Sequence, residues 1–419
     1  MVKMKDCGVP WVGKIPAHWE FNRVKYHFCN TKVVPGINHT EYERLSLTLK
    51  GVVPRSKDDV DGLQPKDFNT YQLLRKDELV FKLIDLQNIS TSRVGLSHAE
   101  GLVSPAYIIL HANGTVLPGY AEKFFLMMWY CHIFNAMGDD GVRSNLGAKD
   151  LLNVQICIPP IREQECIAAF LNKKCTAIDN LVASIQSEIE SLEAYRKSII
   201  IEGVTYGLDT KAKLRDSGIF YVGPVNAKWR MSKIGYVCRK LARAFDSSDT
   251  ALICTNKGTV AERGDAVIGL MSSEDNAMQG IHDGDIAIHG MDTWHGAIAL
   301  SEIKGKITRV VHVCDSTEDK RFVVYYMQSL AFRGVYKLIS NGVRGNTSDF
   351  RSWDKVKNIW IPLPSKGEQS AICDRIDRML ARVRKIISVK KQQLDVLEGY
   401  KRSMIYEYVT GKREVPNEV

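Results

Sequence analysis

Apolar positions recur along this chain in two rhythms, and each rhythm occurs twice. From about 163 to 203 there is no proline, and no glycine before Gly203; Leu171, Ile178, Ile185, Leu192 and Ile199 fall at seven-residue intervals. Val182 and Ile189 add a second row beside them. Four heptads of this kind predict a coiled-coil helix of about 40 residues, about 60 Å long. In the second half Ile376, Val383, Leu397 and Met404 keep the same frame. Lys390 interrupts it once, and Ile386, Ile387 and Leu394 run alongside. Two apolar stripes of equal length are most simply covered by packing the two helices on one another.

Between the helices the period shortens. Runs such as Glu78–Leu83, Ala106–Leu110 and Ile307–Val313, bounded by Gly and Asp, predict strands. An apolar helix is expected in each half, near 121–136 and 321–338. Val154–Ile158 and Ile359–Leu363 predict closing strands before a proline stop. Each half is therefore expected to hold a mixed α/β globule.

The repetition extends to the letters. Met4-Lys5-Asp6-Cys7-Gly8-Val9-Pro10-Trp11-Val12-Gly13 aligns with Leu214-Arg215-Asp216-Ser217-Gly218-Ile219-Phe220-Tyr221-Val222-Gly223, and the register continues through Trp19/Trp229 and Tyr26/Tyr236. Further pairs are Glu78/Asp285, Asp85/Asp292, Ser97/Ser301 and Gly101/Gly305. Gly141-Val142-Arg143-Ser144-Asn145 recurs as Gly342-Val343-Arg344-Gly345-Asn346, and Glu163-Gln164 as Glu368-Gln369. From there the offset holds without a gap to Val204-Thr205 and Val409-Thr410. The segments at about 20–155 and 230–358 share little beyond such anchors. Two similar frames around dissimilar inserts suit two different ligands held at a fixed spacing.

Charge sharpens this picture. The chain of 419 residues carries 57 Lys and Arg against 48 Asp and Glu. Residues 1–210 sum to −1 and residues 211–419 to +10, counted from 23 against 24 and 34 against 24. Part of the surplus lies on the second helix, with nine basic and four acidic residues in 371–404. A basic half raises the expectation of a polyanionic partner. Ten cysteines without a CxxC pair read as reduced thiols, not as a zinc site or disulfide framework. The first residues show no apolar signal core, and Phe124 to Phe134, broken by His132, is too short to span a bilayer. A cytoplasmic protein without membrane contact is expected.

The motif DCGVPWVGKIPAHWE with its copy DSGIFYVGPVNAKW, the junctions IPPIREQ and IPLPSKGEQ, and the helix ends IEGVTYG and IYEYVTG together resemble the specificity subunits of type I restriction-modification systems. The resemblance covers the whole chain; Pro224-Val225-Asn226 departs from the first copy's Lys14-Ile15-Pro16. It implies a mixed α/β (α+β) fold with two globular target-recognition domains separated by two long antiparallel coiled-coil helices, under an internal pseudo-two-fold. The corresponding segments are 1–157, with the first recognition domain; 158–210, the central helix and linker; 211–360, the second domain; and 361–419, the distal helix. The implied partners are double-stranded DNA, two modification subunits that carry the S-adenosylmethionine-dependent methyl transfer, and restriction subunits using ATP and Mg²⁺. The chain itself would bind no cofactor and no metal, and would have no catalytic residue.

Phosphates are met by Lys, Arg and polar side chains, and bases by Arg, Asn, Gln and Asp. In the first domain this selects the basic loop with Lys50, Arg55 and Lys57, the polar run with Gln87, Asn88 and Arg93, and the pair Arg143 and Asn145. In the second it selects His289, Asp292, Trp294 and His295, then Lys304 and Lys306, and the pair Arg344 and Asn346. For each basic residue the plain alternative is a solvated surface group; for the GVRxN pair it is a structural turn.

Catalytic look-alikes are few. Gly8 and Gly13-Lys14 have phosphate-loop spacing, but Ile15 stands where a hydroxyl must reach the metal. Asp292 with Glu302 and Lys304 imitates a Mg²⁺ nuclease site, and His282, Asp285, His289, Asp292 and His295 a metal cluster. Two other readings thus stand beside the DNA reader: a coiled-coil adaptor without base reading, and a metal-dependent nuclease.

Overall fold

The computed structural model describes residues 3–30, 32–59, 67–86, 92–138, 145–209, 211–264, 275–340 and 349–416. Its contacts divide the chain into two compact units, 1–185 with 392–419, and 186–391.

In the first unit β1 (Met4–Asp6) and β2 (Lys14–Pro16) form a hairpin. Then follow β3 (Glu20–Arg23), β4 (Phe28–Asn30), β5 (Arg44–Thr48), β6 (Gly51–Arg55), β7 (Gln72–Leu74) and β8 (Leu79–Phe81). After these come β9 (Val94–Leu96), β10 (Gly101–Val103) and β11 (Ile108–Ala112). Helices α1 (Pro118–Tyr130), α2 (Ile133–Met137) and α3 (Ala148–Asn153) lead to β12 (Gln155–Ile158) and the long α4 (Ile161–Tyr206). One four-stranded sheet has the order β6-β5-β10-β7, another β4-β11-β8-β9, and β12 pairs with β3.

The second half repeats this element by element. Its strands are β13 (Leu214–Asp216), β14 (Pro224–Asn226), β15 (Arg230–Lys233), a short α5 (Ile234–Val237), β16 (Cys238–Lys240), β17 (Ala251–Cys254) and β18 (Val260–Glu262). They continue with β19 (Met278–Ile281), β20 (Ile286–His289), β21 (Ile298–Leu300), β22 (Gly305–Thr308) and β23 (Val311–Ser316). Helices α6 (Lys320–Phe332), α7 (Val335–Ile339) and α8 (Trp353–Lys357) precede β24 (Trp360–Leu363) and α9 (Lys366–Val409). The sheets are β18-β17-β22-β19 and β16-β23-β20-β21, with β15 on β24. The strand order is that of the first half with every number raised by twelve. The inserts that share so few letters therefore share one topology.

The repeated letters prove to be its joints. Gln164 and Gln369 are fully buried at the starts of α4 and α9. Gln164 accepts from the Leu117 amide (2.8 Å) and donates to the Pro159 carbonyl (2.9 Å). Gln369 does the same with Asp319 (3.0 Å) and Pro364 (3.0 Å). The neighbouring glutamates hold the lead-in tryptophans: Trp19 Nε1 donates to Glu163 (2.8 Å) and Trp229 Nε1 to Glu368 (3.1 Å). Gly101 and Gly305 sit where β10 and β22 run parallel to β5 and β17. A Cβ there would lie 2.7 Å from the Glu43 carbonyl oxygen and 2.5 Å from that of Thr250, so only glycine fits.

Three expectations need correction. Ile307–Val313 is two strands, because Arg309 and Val310 turn the chain from one sheet into the other. The helices expected at 121–136 and 321–338 each break in two, where His132 (φ 56°) and Gly334 (φ 72°) take left-handed backbone. The basic segment 50–57 is no loop: Gly51–Arg55 is β6, paired along its length with β5.

Each long helix contributes to both units, and in each unit the pairing is antiparallel. In the first, Phe170 and Tyr408 meet with ring centroids 4.6 Å apart, and Lys401 pairs with Asp179 at 2.6 Å. In the second, Gly203 packs on Ile376 and Lys390 pairs with Glu188. Partner numbers fall on one helix as they rise on the other. Lys390, which breaks the heptad, thus has an anionic partner across the pair. Of the heptad positions, Leu171, Ile178, Ile185, Ile199, Ile376, Val383 and Met404 are buried, while Leu192 and Leu397 are half-buried. Among the described residues no helix is long and apolar enough to cross a membrane.

Candidate nucleic-acid interface

Three of the basic residues singled out in the first domain, Lys50, Arg55 and Lys57, lie on and beside the β5–β6 hairpin. Lys50 is exposed at its tip. Arg55 Nε donates to Asp59 (2.8 Å), and Lys57 Nζ to the His39 carbonyl (2.8 Å). Lys57 and Arg44 both stand over the Phe68 ring, at 5.8 and 5.7 Å from its centroid. Aromatic and carbonyl contacts fix these cations in place without neutralising Lys57.

Arg93 is not on the surface. It is 1% exposed, and its guanidinium donates to the carbonyls of Lys82 (3.3 Å), Ile84 (3.0 Å) and Asp85 (2.6 Å). Burial draws its pKa down, with Asp85 opposing. It ties the base of the 82–93 loop, so its expected DNA contact gives way to a structural role. Asn145 accepts from the Asp85 amide (3.1 Å), and Asp85 has φ 53°. Asn145 is exposed, and its side chain holds this part of the chain through that bond. Gln87, Asn88, Arg143, Arg344 and Asn346 lie outside the described residues.

In the second domain the HGMDTWH run follows β20 into a turn. His289 is buried, its Nδ1 accepting from the amides of Met291 (3.3 Å) and Asp292 (3.1 Å); burial lowers its pKa, with Asp292 opposing. That places His289 in the turn's core and not against a duplex. Asp292 lies between His289 (3.3 Å) and the exposed His295 (3.8 Å). Trp294 packs under Lys337, whose Nζ is 5.8 Å from the ring centroid. Lys304 is exposed; Lys306 is held by Asp275 (2.9 Å) and the Ser247 carbonyl (2.6 Å).

The catalytic look-alikes do not assemble. Asp292 lies in the turn before β21 and Glu302 and Lys304 beyond its far end, so the strand itself, on the order of 10 Å, separates the two carboxylates. One Mg²⁺ cannot bridge that gap, which removes the nuclease reading. Asp285 is taken by Arg243 (2.8 Å). Among the described residues no group of three or more His, Cys, Asp or Glu side chains is placed to hold a metal. Gly8 and Gly13 shape the β1–β2 hairpin, with no helix after it to receive a phosphate. Burial pushes the Cys238 thiol up to about 11 and that of Cys254 to about 12, with Ser316 opposing the first and Asp292 reinforcing the second.

One basic feature escaped the sequence reading. Lys240, Arg243 and Arg309 line a cleft of about 510 Å³ together with Phe245, Met278 and Gln279. Arg309 lies inside the run Ile307–Val313, which its pattern predicts as one strand; the turn at 309–310 brings it beside segment 240–245.

No family model matches the chain. It is similar to curated proteins of Methanocaldococcus jannaschii. One, provisionally named type I restriction enzyme MjaX specificity subunit, is 23% identical over 429 residues, covering 96% of each chain. A second, the MjaVIII specificity subunit, is 24% identical over 63% of each. These relatives are type I restriction specificity subunits. The fold agrees with a chain of a solved structure described for complex assembly and conformational transition of the type I R-M system. The TM-score is 0.68 at 12% identity, over 95% of this chain and 99% of that one. The mixed α and β fold with two sheet-rich domains and two long helices is shown by that match.

Proposed function

We propose that this chain is the DNA-reading specificity subunit of a type I restriction-modification complex. It reads a two-part target, one half-site per domain, and directs methylation and restriction by its partners. The observation that carries the reading is the doubled topology: two domains of one strand order, joined to the long helices by the same Gln and Glu-Trp contacts, with dissimilar exposed segments. Similarity to curated specificity subunits across nearly the full length supports it. An adaptor without base reading would need the frame but not two divergent inserts.

Two modification subunits using S-adenosylmethionine, and restriction subunits using ATP and Mg²⁺, would assemble on the frame in the cytoplasm. Two similar docking surfaces follow from the internal repeat. This chain contributes binding and placement, and the chemistry belongs to the partners. Its contacts to DNA come from the exposed Lys50, His295 and Lys304 and the half-exposed Lys57 and Asp292, with phosphate contacts expected to outnumber base contacts.

The test is methylation mapping across the host genome with and without the chain. A two-part motif should vanish on deletion, and exchange of residues 20–155 should alter one half of it only. A motif unchanged by deletion, or changed in both halves by the exchange, overturns the proposal.

A further inference from the structure

Resting on that function, we propose that the cleft carrying Lys240 and Arg309 binds the phosphodiester backbone of the duplex, and that the first domain lacks this pair of cations. The second domain would then grip its half-site through phosphates more strongly than the first.

The cleft is built with little freedom. Segment 241–245 forms one wall, pinned by Leu241 N to the Val313 carbonyl (2.8 Å) and by Gly280 N to that of Arg243 (3.0 Å). Its approach to β19 is so close that a Cβ on Gly280 would lie 2.2 Å from the Ala244 oxygen. The other wall is the 308–311 turn, clamped by Gln279, whose Nε2 donates to the carbonyls of Val311 (2.5 Å) and Thr308 (3.4 Å). Arg309 is oriented by its own contacts, its backbone amide to Ala277 (2.9 Å) and its Nε to the Met278 carbonyl (3.0 Å).

The charges in the cleft are not all spent. Arg243 is engaged by Asp285 through two hydrogen bonds, at 3.1 and 2.8 Å. Lys240 and Arg309 are exposed, and among the described residues neither forms an ion pair. Two cations at the rim of an open cleft, one of them oriented by the Met278 carbonyl, suit a polyanion that lies across it.

The first domain has the same frame without the Lys240 and Arg309 pair. Leu73 N donates to the Val33 carbonyl (2.8 Å), and Gln72 Nε2 holds the corresponding turn through Ser104 (2.9 Å) and Tyr107 (2.6 Å). The positions matching Lys240, Arg243 and Arg309 are Asn30, Val33 and Pro105, all uncharged. The backbone contacts thus recur in both copies, while the first copy keeps one cation on the matching segment, Lys32 at the position of Ala242, and none at the positions of Lys240 and Arg309.

The test measures duplex affinity against salt for the full chain assembled with its modification subunits. Each phosphate contact contributes about 0.9 to the slope of log affinity on log salt. Lys240→Gln with Arg309→Gln should lower the slope by about 1.8 and weaken binding by roughly sixtyfold near 0.1 M salt, equally for specific and random duplex. The methylated motif should stay the same. Lys211→Gln with Lys228→Gln removes equal charge from exposed sites elsewhere in the second unit and should leave the slope nearly unchanged. An unaltered slope in the first pair, an equal fall in the control pair, or a changed motif overturns the cleft assignment. If the unsubstituted complex shows no sequence-specific binding at all, the proposed function itself fails, which is a separate result. Melting temperatures of both pairs establish that the fold is intact, and Lys240→Glu alone supplies the slope change should Arg309→Gln disturb the turn.

Discussion

At the scale of single residues, the buried amides that repeat between the halves carry more of the fold than their size suggests. Gln164 satisfies a helix-start amide and a proline carbonyl from inside the core, and Gln369 matches it. Replacing Gln369 by leucine keeps the volume but strands the Asp319 amide and the Pro364 carbonyl. A loss of about 1–3 kcal/mol is expected in chemical unfolding; a loss under half of that would mean the amides find other partners. His312 adds a pH dependence. It is 1% exposed, with Nε2 on the Phe350 carbonyl (2.7 Å), and burial lowers its pKa, helped by Lys240 and His289 and opposed by that hydrogen bond. The folded state therefore keeps it neutral where the unfolded chain would take up a proton. Its contribution is complete above the unfolded value of about 6.5 and declines as pH falls below it. Between pH 7 and 5.5 the wild type should lose up to about 1 kcal/mol more than His312→Gln. Equal losses would show that His312 titrates normally when folded.

Among the elements, the helices were the most legible from sequence and the short strands the least. A seven-residue repeat survives any neighbour, so the buried heptad positions could be named in advance. Strands of three residues are set by what they pair with. The chain's crossing from one sheet to another at Arg309–Val310 leaves no local signal, nor does Arg93, which looks like a surface cation until the carbonyls of its loop close on it. Glycines in the long helices separate packing from propensity. Gly203 faces Ile376, whose Cδ1 would be 2.7 Å from an added Cβ, whereas nothing lies within 4 Å of Gly399. Gly399→Ala should therefore stabilise by roughly 1 kcal/mol through helix propensity alone. Gly203→Leu should destabilise by about 1–3 kcal/mol through overpacking. Thermal unfolding of both variants checks this, and a stabilised Gly203→Leu would contradict the observed packing.

At the scale of the whole molecule, order along the chain and order in space disagree, and the disagreement can be tested. The last turns of α9 belong to the unit that holds the first residues. Met404, Ile405, Tyr408 and Val409 are buried there in the same core as Trp19, Ile156 and Leu171. Tyr120 joins that core to the helix end, its hydroxyl donating to the carbonyls of Cys157 (3.0 Å) and Val409 (3.1 Å). Ending the chain after Lys391 removes all four side chains, each worth about 1.5–3 kcal/mol of apolar burial, and leaves the Tyr120 hydroxyl and the inner face of α4 without that cover. That sum is comparable with the entire stability of an ordinary domain. A truncation at the far end of the sequence should therefore unfold the N-terminal domain, while 186–391 retains every segment of its own unit. Hydrogen exchange on the truncated chain should show protection lost at Leu79–Phe81 and Ile108–Ala112 and kept at Ile286–His289 and Val311–Ser316. The opposite pattern, with the second domain lost and the first intact, would mean that the division of the core drawn here is wrong. The expected pattern also bears on the proposed function: a chain cut at 391 should fail at the half-site which that proposal assigns to residues 20–155, although none of those residues has been touched.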